Sequence, residues 1–188
     1  MTTAPPSTPT KADAPEPLRL HIGGEEVKEG WKIYNVQQLP GVDYIGNALD
    51  LSQFADGSVT EVYGSHIYEH LDYVRELPIA FKEVFRVLRP SGLFRLGVPD
   101  IEVLARLIID PRLSFEEKWH VQRMIIGGQT NPWDYHKVGF TFDFLKYMLE
   151  ATGFRHVRRV QTFNLFRDAT VLAFKGVPIS LNVQALKP

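Results

Sequence analysis

The stretch from Ser58 to Asp100, S-V-T-E-V-Y-G-S-H-I-Y-E-H-L-D-Y-V-R-E-L-P-I-A-F-K-E-V-F-R-V-L-R-P-S-G-L-F-R-L-G-V-P-D, decides the fold. Val59 to Ser65 reads as a strand. Leu77, Phe81, Val84 and Leu88 recur at spacings of four, three and four residues, which puts them on one face of a helix, with Arg75, Lys82, Glu83 and Arg86 turned away. Pro78 fits only in the first turn of that helix, where its missing N–H costs little. Arg89-Pro90-Ser91-Gly92 reads as the stop, and Leu93 to Val98 as a second strand ending in Pro99-Asp100. This order forms a right-handed crossover between parallel strands, and ligands of open α/β sheets bind off the carboxyl ends of such strands. Here those ends carry Ser65, His66 and Asp100.

Working outward, Leu18 to Ile22 alternates apolar and polar residues before Gly23-Gly24, as a short strand running into a tight turn does. Trp31 to Val36 and Val42 to Leu49 read as further strands. The connections between them are short, and Gly24 to Gly30 barely holds one helical turn, so this half of the sheet is expected to carry reduced helices. Past Asp100, helices are expected over Ile101 to Ile109 and Phe115 to Ile126, broken at Asp110-Pro111. A third is expected over Thr141 to Thr152, with Thr141 as N-cap and Gly153 closing it. Between them, Gly127 to Gly139 is a long loop, and loops of this length inside a compact domain usually serve function. Strands over Val157 to Phe163 and Ile179 to Ala185 complete the pattern.

The chain has 188 residues, 44% of them hydrophobic, enough for one substantial core. Met1 to Pro17 is expected to be a disordered Pro/Thr/Ala-rich tail ahead of a single domain over 18–188. It lacks the apolar core of a signal peptide, so a cytoplasmic location is expected. Lys and Arg number 21 against 22 Asp and Glu, with no basic run, which argues against nucleic acid or membrane as partner. The patch Arg155-His156-Val157-Arg158-Arg159 reads as a solvated strand edge. With no cysteine there is neither a disulfide framework nor a thiolate metal site.

Several segments together resemble the class I S-adenosylmethionine-dependent methyltransferases, in particular small bacterial members. They are H-I-G-G (21–24), A-L-D-L (48–51), F-A-D-G-S-V-T-E-V-Y (54–63), S-H-I-Y-E-H-L (65–71), E-V-F-R-V-L-R-P-S-G (83–92), R-L-G-V-P-D (95–100) and A-T-G-F (151–154). The resemblance spans about Leu18 to Lys187. It implies a Rossmann-like, doubly wound, mostly parallel seven-stranded sheet whose last strand is antiparallel. It also implies S-adenosylmethionine held over the tips of the first, second and fourth strands.

On that resemblance Gly23 and Gly24 would allow close approach to the cofactor's amino-acid end. Asn35, standing where the family carries a carboxylate, would meet the ribose. Asp50 would accept from the adenine amine, Leu51 would pack on the ring, and Ser65 and His66 would border the site. Catalysis would be orientation of the acceptor plus proton removal. Tyr135 and His136, in the loop D-Y-H-K, are the catalytic candidates, with Gln129 and Asn131 as pocket-lining ones. The acceptor class implied is a small molecule or a glycan. Since no helical segment precedes Leu18, the loop 110–139, a second copy of the chain or another partner would have to close the site. Asn35 and the sparse glycine turn also fit a different class, a catalytically silent methyltransferase-like module that binds a partner protein.

His66-Ile67-Tyr68-Glu69-His70 also matches H-x-x-E-H, a zinc-peptidase string that requires both histidines on one helix. A strand ending at Ser65 denies it that helix. The string is therefore read as accidental, His70 as structural, and no metal is expected.

Overall fold

The structure, a computed structural model, describes residues 17–188; the tail expected over 1–17 lies, apart from Pro17, outside the described residues. The elements in chain order are β1 (Leu18–Ile22), β2 (Lys32–Asn35), β3 (Tyr44–Ile45), β4 (Val59–Ser65), α1 (Glu76–Val87) and β5 (Leu88–Pro99). There follow α2 (Ile101–Ile108), α3 (Phe115–Ile126), α4 (Phe142–Thr152), β6 (Arg155–Arg159), β7 (Ala173–Phe174), β8 (Val177–Pro178) and β9 (Ser180–Leu186). Seven strands form one sheet in the order β3-β2-β1-β4-β5-β9-β6, while β7 and β8 make a separate hairpin. The first five are mutually parallel, and β9 runs antiparallel to both its neighbours. Strand order reverses between β1 and β4, the switch point at which open α/β sheets take their ligands.

The two faces of the sheet are covered differently. Leu20, Ile22 and Val62 join Leu77, Phe81 and Val84 of α1 and Leu145 and Leu149 of α4 in the main core. His21 and Tyr63, next in sequence and so on the opposite face, pack with Trp31 and Phe166 in an aromatic cluster. Phe166 belongs to the irregular segment after β6, so on this side a loop stands where a crossover helix would. A smaller core joins α2 and α3 through Leu104, Leu107 and Val121.

Local chemistry sets the helix boundaries. The Asp100 carboxylate accepts from Glu102 N and Val103 N and starts α2. Ser114 and Glu117 form a reciprocal capping box on α3, and Thr141 accepts from Phe144 N on α4. Three boundaries differ from expectation. β3 keeps two residues rather than eight, because the Tyr34 ring occupies the space beside Gly46 and its hydroxyl donates to the carbonyls of Asn47 and Asp50, drawing the chain into a turn. β6 ends at Arg159, beyond which the Gln161 carbonyl is taken by the Asn182 side chain instead of the ladder. β5 starts directly after α1, since Ser91 and Gly92 pair with Lys187 instead of forming a free turn. The Lys187 ammonium also donates to the carbonyls of Phe85 and Leu88 at 2.6 and 2.7 Å, closing the end of α1. Among the described residues, no helix is long and apolar enough to cross a membrane.

Candidate functional site

A cleft of about 430 Å³ opens off the carboxyl ends of β1 to β4, within the size range of small-molecule sites. Its floor is Gly23 after β1, Asn35 at the end of β2, and His66 and Ile67 after β4; Gly46 to Leu49 form one wall. The facing wall is the loop segment Asn131 to Tyr135 with Lys137.

Gly23 lines the cleft at φ +73°, a left-handed conformation, and a Cβ there would overlap the Ile67 side chain. Gly24 instead makes room for the buried His21 ring, which a Cβ at that position would overlap. Asn35 borders the cleft with both ends of its amide engaged, Nδ2 donating to Gly24 O at 3.1 Å and Oδ1 accepting from Gln37 N at 2.9 Å. Asp50 and Leu51 stand outside the lining residues. The Asp50 carboxylate accepts from Ser52 N, and Leu51 is buried with its amide bonded to Glu83. Ala48 and Leu49 hold the wall position expected of those two. Ser65, at the end of β4, is not among the lining residues, and its hydroxyl is buried. Asp100 is committed to capping α2 and to Arg159, 3.3 Å away.

The loop wall is knitted around Asp134. Its carboxylate accepts from Gly128 N, Thr130 N and the Thr130 hydroxyl, and its pKa lies below the usual range, chiefly through the Thr130 hydrogen bond. Lys137 N and Val138 N both donate to Glu69 O, at 2.8 and 3.3 Å, anchoring the loop to a short 3₁₀ turn over Tyr68–His70. Tyr135 and Asn131 face the cleft. Gln129 and His136 are absent from its lining; the His136 ring turns beneath the wall, where its Nδ1 meets Ile125 O at 3.2 Å.

Under the wall lies a buried carboxyl group ringed by histidines. Glu69 is 1% exposed, and among the described residues neither carboxyl oxygen has a hydrogen-bond partner. Its Oε1 is 3.4 Å from His66 Nδ1 and 4.0 Å from His136 Nε2, and the rings of His70 and His136 meet edge-on with centroids 4.9 Å apart. Burial pushes the Glu69 carboxyl up to about 8. Burial, with His136 adding to it, lowers His66 to about 4; His136 is lowered by burial and by His70. His66 itself sits at φ +50°, where the chain turns off β4.

Residues 19–96 match the family model described as a methyltransferase domain. Solved structures extend the likeness across the sheet. A Thermotoga maritima S-adenosylmethionine-dependent methyltransferase, a possible histamine N-methyltransferase, is 19% identical with a TM-score of 0.58, covering 95% of this chain and 86% of its own. An Archaeoglobus fulgidus S-adenosylmethionine-dependent methyltransferase is 19% identical at a TM-score of 0.57, over 91% and 86% of the two chains. A complex between the Haloferax volcanii Trm112 methyltransferase activator and a methyltransferase matches at 14% identity and a TM-score of 0.53, over 94% and 86%. The fold is that of the class I methyltransferases. No curated protein matches the sequence significantly.

Within this methyltransferase fold, sequence reasoning missed Glu25, Gln37 and Asn47, polar residues on the cleft wall, and Glu69 beneath it. Glu69 had a visible signal, the string His66 to His70. That string does not lie on one helix: His66 follows the strand and Glu69 and His70 belong to the 3₁₀ turn.

Proposed function

We infer that this protein transfers a methyl group from S-adenosylmethionine to an oxygen or nitrogen of a small-molecule or glycan acceptor. The observation that carries the reading is the cleft itself, which lies at the switch point of the sheet and is floored by Gly23, the residue that follows β1. The residues present suit the cofactor. Gly23 leaves backbone accessible at the floor, Glu25 and Gln37 offer polar atoms beside it, and Leu49, Ile67 and Leu71 offer apolar surface for a purine ring. When bound, the cofactor supplies a methyl already activated by its sulfonium. The chain's part is to orient the acceptor and exclude water. Tyr135 stands on the acceptor side in the loop wall, with His136 one layer beneath it.

The second reading, a silent module that binds a partner protein, is favoured by Asn35, whose amide is consumed within the turn. Calorimetry with S-adenosylmethionine and S-adenosylhomocysteine separates the two. Saturable binding of both is expected. Failure of either to bind at millimolar concentration overturns the methyl-transfer reading and leaves the module.

A further inference from the structure

We propose that Glu69, His70 and His136 form a binding site for a divalent first-row transition metal, zinc in the first instance, beneath the loop wall of the cleft. One ligand atom from each residue lies within 4.8 Å of the others. Closing to the ~3.4 Å separations of a tetrahedral site with ~2.0–2.1 Å bonds needs only side-chain rotation and a small inward shift of the wall.

The hydrogen bonds around the cluster fix which atoms are free. His70 Nδ1 meets Tyr135 O at 3.1 Å, and His136 Nδ1 meets Ile125 O at 3.2 Å. A carbonyl only accepts, so both rings carry their proton on Nδ1 and keep a lone pair on Nε2. That is how protein chains present histidine to a metal, with the second nitrogen donating to an outer carbonyl. His66 extends the pattern. Ser180 Oγ donates to Ala169 O at 2.6 Å and therefore accepts from His66 Nε2, 2.8 Å away. His66 Nδ1 is thus left as a third lone pair, 3.4 Å from Glu69 Oε1.

Three lone-pair nitrogens around a buried carboxyl group leave several buried polar atoms without a partner among the described residues, which a cation among them would supply. A proton on Glu69 could be shared with His66 Nδ1 across 3.4 Å, but it would leave the Nε2 atoms of His70 and His136 without a partner. A metal ion satisfies Glu69 and the Nε2 atoms of His70 and His136 together, leaving His66 Nδ1 to accept from whatever occupies the fourth position. Imidazole with carboxylate suits zinc and its transition-metal neighbours, whereas magnesium and calcium prefer all-oxygen shells. Two histidines and one glutamate leave one coordination position open. Since His66 and His70 border the cleft, that position faces it, where water or an acceptor oxygen or nitrogen would complete the shell. This last point rests on the methyl-transfer reading; the metal site does not.

The test uses untagged full-length protein stripped with EDTA and titrated with zinc chloride by calorimetry, with cobalt(II) absorption as a second readout and no S-adenosylmethionine present. One equivalent is expected to bind, and Glu69→Gln, His70→Ala and His136→Ala should each weaken binding at least ~10-fold, the scale that even an outer-shell contact reaches. Nitrogen-15 spectra of the wild-type histidines keep the proposal falsifiable should a variant fail to fold. Zinc should shift Nε2 of His70 and His136 and leave their Nδ1 protonated. Absence of binding, binding that all three substitutions leave unchanged, or shifts confined to other histidines would overturn it. Zinc binding without cofactor binding would sink methyl transfer alone, and the reverse result would sink the metal site alone.

Discussion

The two sides of the cleft are built on opposite principles. On the side of β1 and β2 the polar groups that border the cleft are spent on the protein itself, while, among the described residues, His21 Nδ1 and Trp31 Nε1 lie unpaired behind them in an aromatic cluster. Asn35 ties Gly24 to Gln37, and the space next to Gly24 is filled by His21, held against Tyr63 and Phe166. On the side of the 3₁₀ turn, the histidines have bonds leading outward, and the Glu69 carboxyl among them has none. A region whose hydrogen bonds close internally is a scaffold. A buried region whose hydrogen bonds stay open is shaped for something that arrives later, because an unpaired buried polar group costs ~1–3 kcal/mol.

The largest effect that would break this contrast is expected at Gly23. Gly23→Ala combines a left-handed backbone with overlap on Ile67, and should cost ~2–4 kcal/mol in urea unfolding while weakening S-adenosylmethionine binding. A loss below ~1 kcal/mol would mean that the turn yields easily, and the scaffold reading would fail.

His21 gives the next largest effect, visible as a dependence on pH. Burial holds its folded pKa at about 4, below its ordinary 6.5. The unfolded chain therefore binds more protons between those values, so the stabilisation is complete above about pH 6.5 and is lost as pH falls toward 4. The loss from His21 should reach roughly 2–3 kcal/mol, and since His66 is lowered to the same value, His21→Phe should shrink this acid limb without removing it. Urea midpoints for both proteins at about pH 7 and about pH 4.5 decide it, and parallel curves would show that His21 is not the titrating group.

Asn35→Ala removes both bonds that hold the turn and should cost ~1–3 kcal/mol. If cofactor affinity falls by more than the stability change explains, Asn35 also touches the ribose. The smallest effect lies outside the residues that line the cleft. Arg159 is half exposed and pairs with Asp100 and Glu102, so Arg159→Ala should change stability by ~1 kcal/mol or less. A larger loss would show that the Asp100 cap depends on Arg159.

Legibility follows the range of the interaction. α1, α2, α3 and α4 were readable to within a residue or two because periodicity, Ser114 with Glu117, and Thr141 are local signals. The parallel order of β1, β4 and β5 followed from the spacing of strand and helix. β3 was overestimated because nothing near it reveals that Tyr34 bonds the Asn47 and Asp50 carbonyls across the turn. The site shows the same division. Gly23, Asn35 and His66 lie at strand tips, where topology puts them. The shift from Asp50-Leu51 to Ala48-Leu49 at the wall is a consequence of the same shortened strand. Glu69 and His136 are 67 positions apart in the sequence, and no local pattern joins them. Their meeting depends on Lys137 N and Val138 N docking on Glu69 O.

The insertion of β9 between β5 and β6 has a consequence for how the chain acquires its shape. Residues 155–159 have no strand to pair with until residues 180–186 are available, and the Lys187 ammonium closes α1 across about a hundred residues of sequence. Such long-range closures slow folding. During synthesis the parallel half through β5 can assemble early, but its outer edge stays open until the ribosome has delivered the segment around Asn182. Until then β5 is an unpaired edge, and it is there that a chaperone, or a wrong partner, would find this protein.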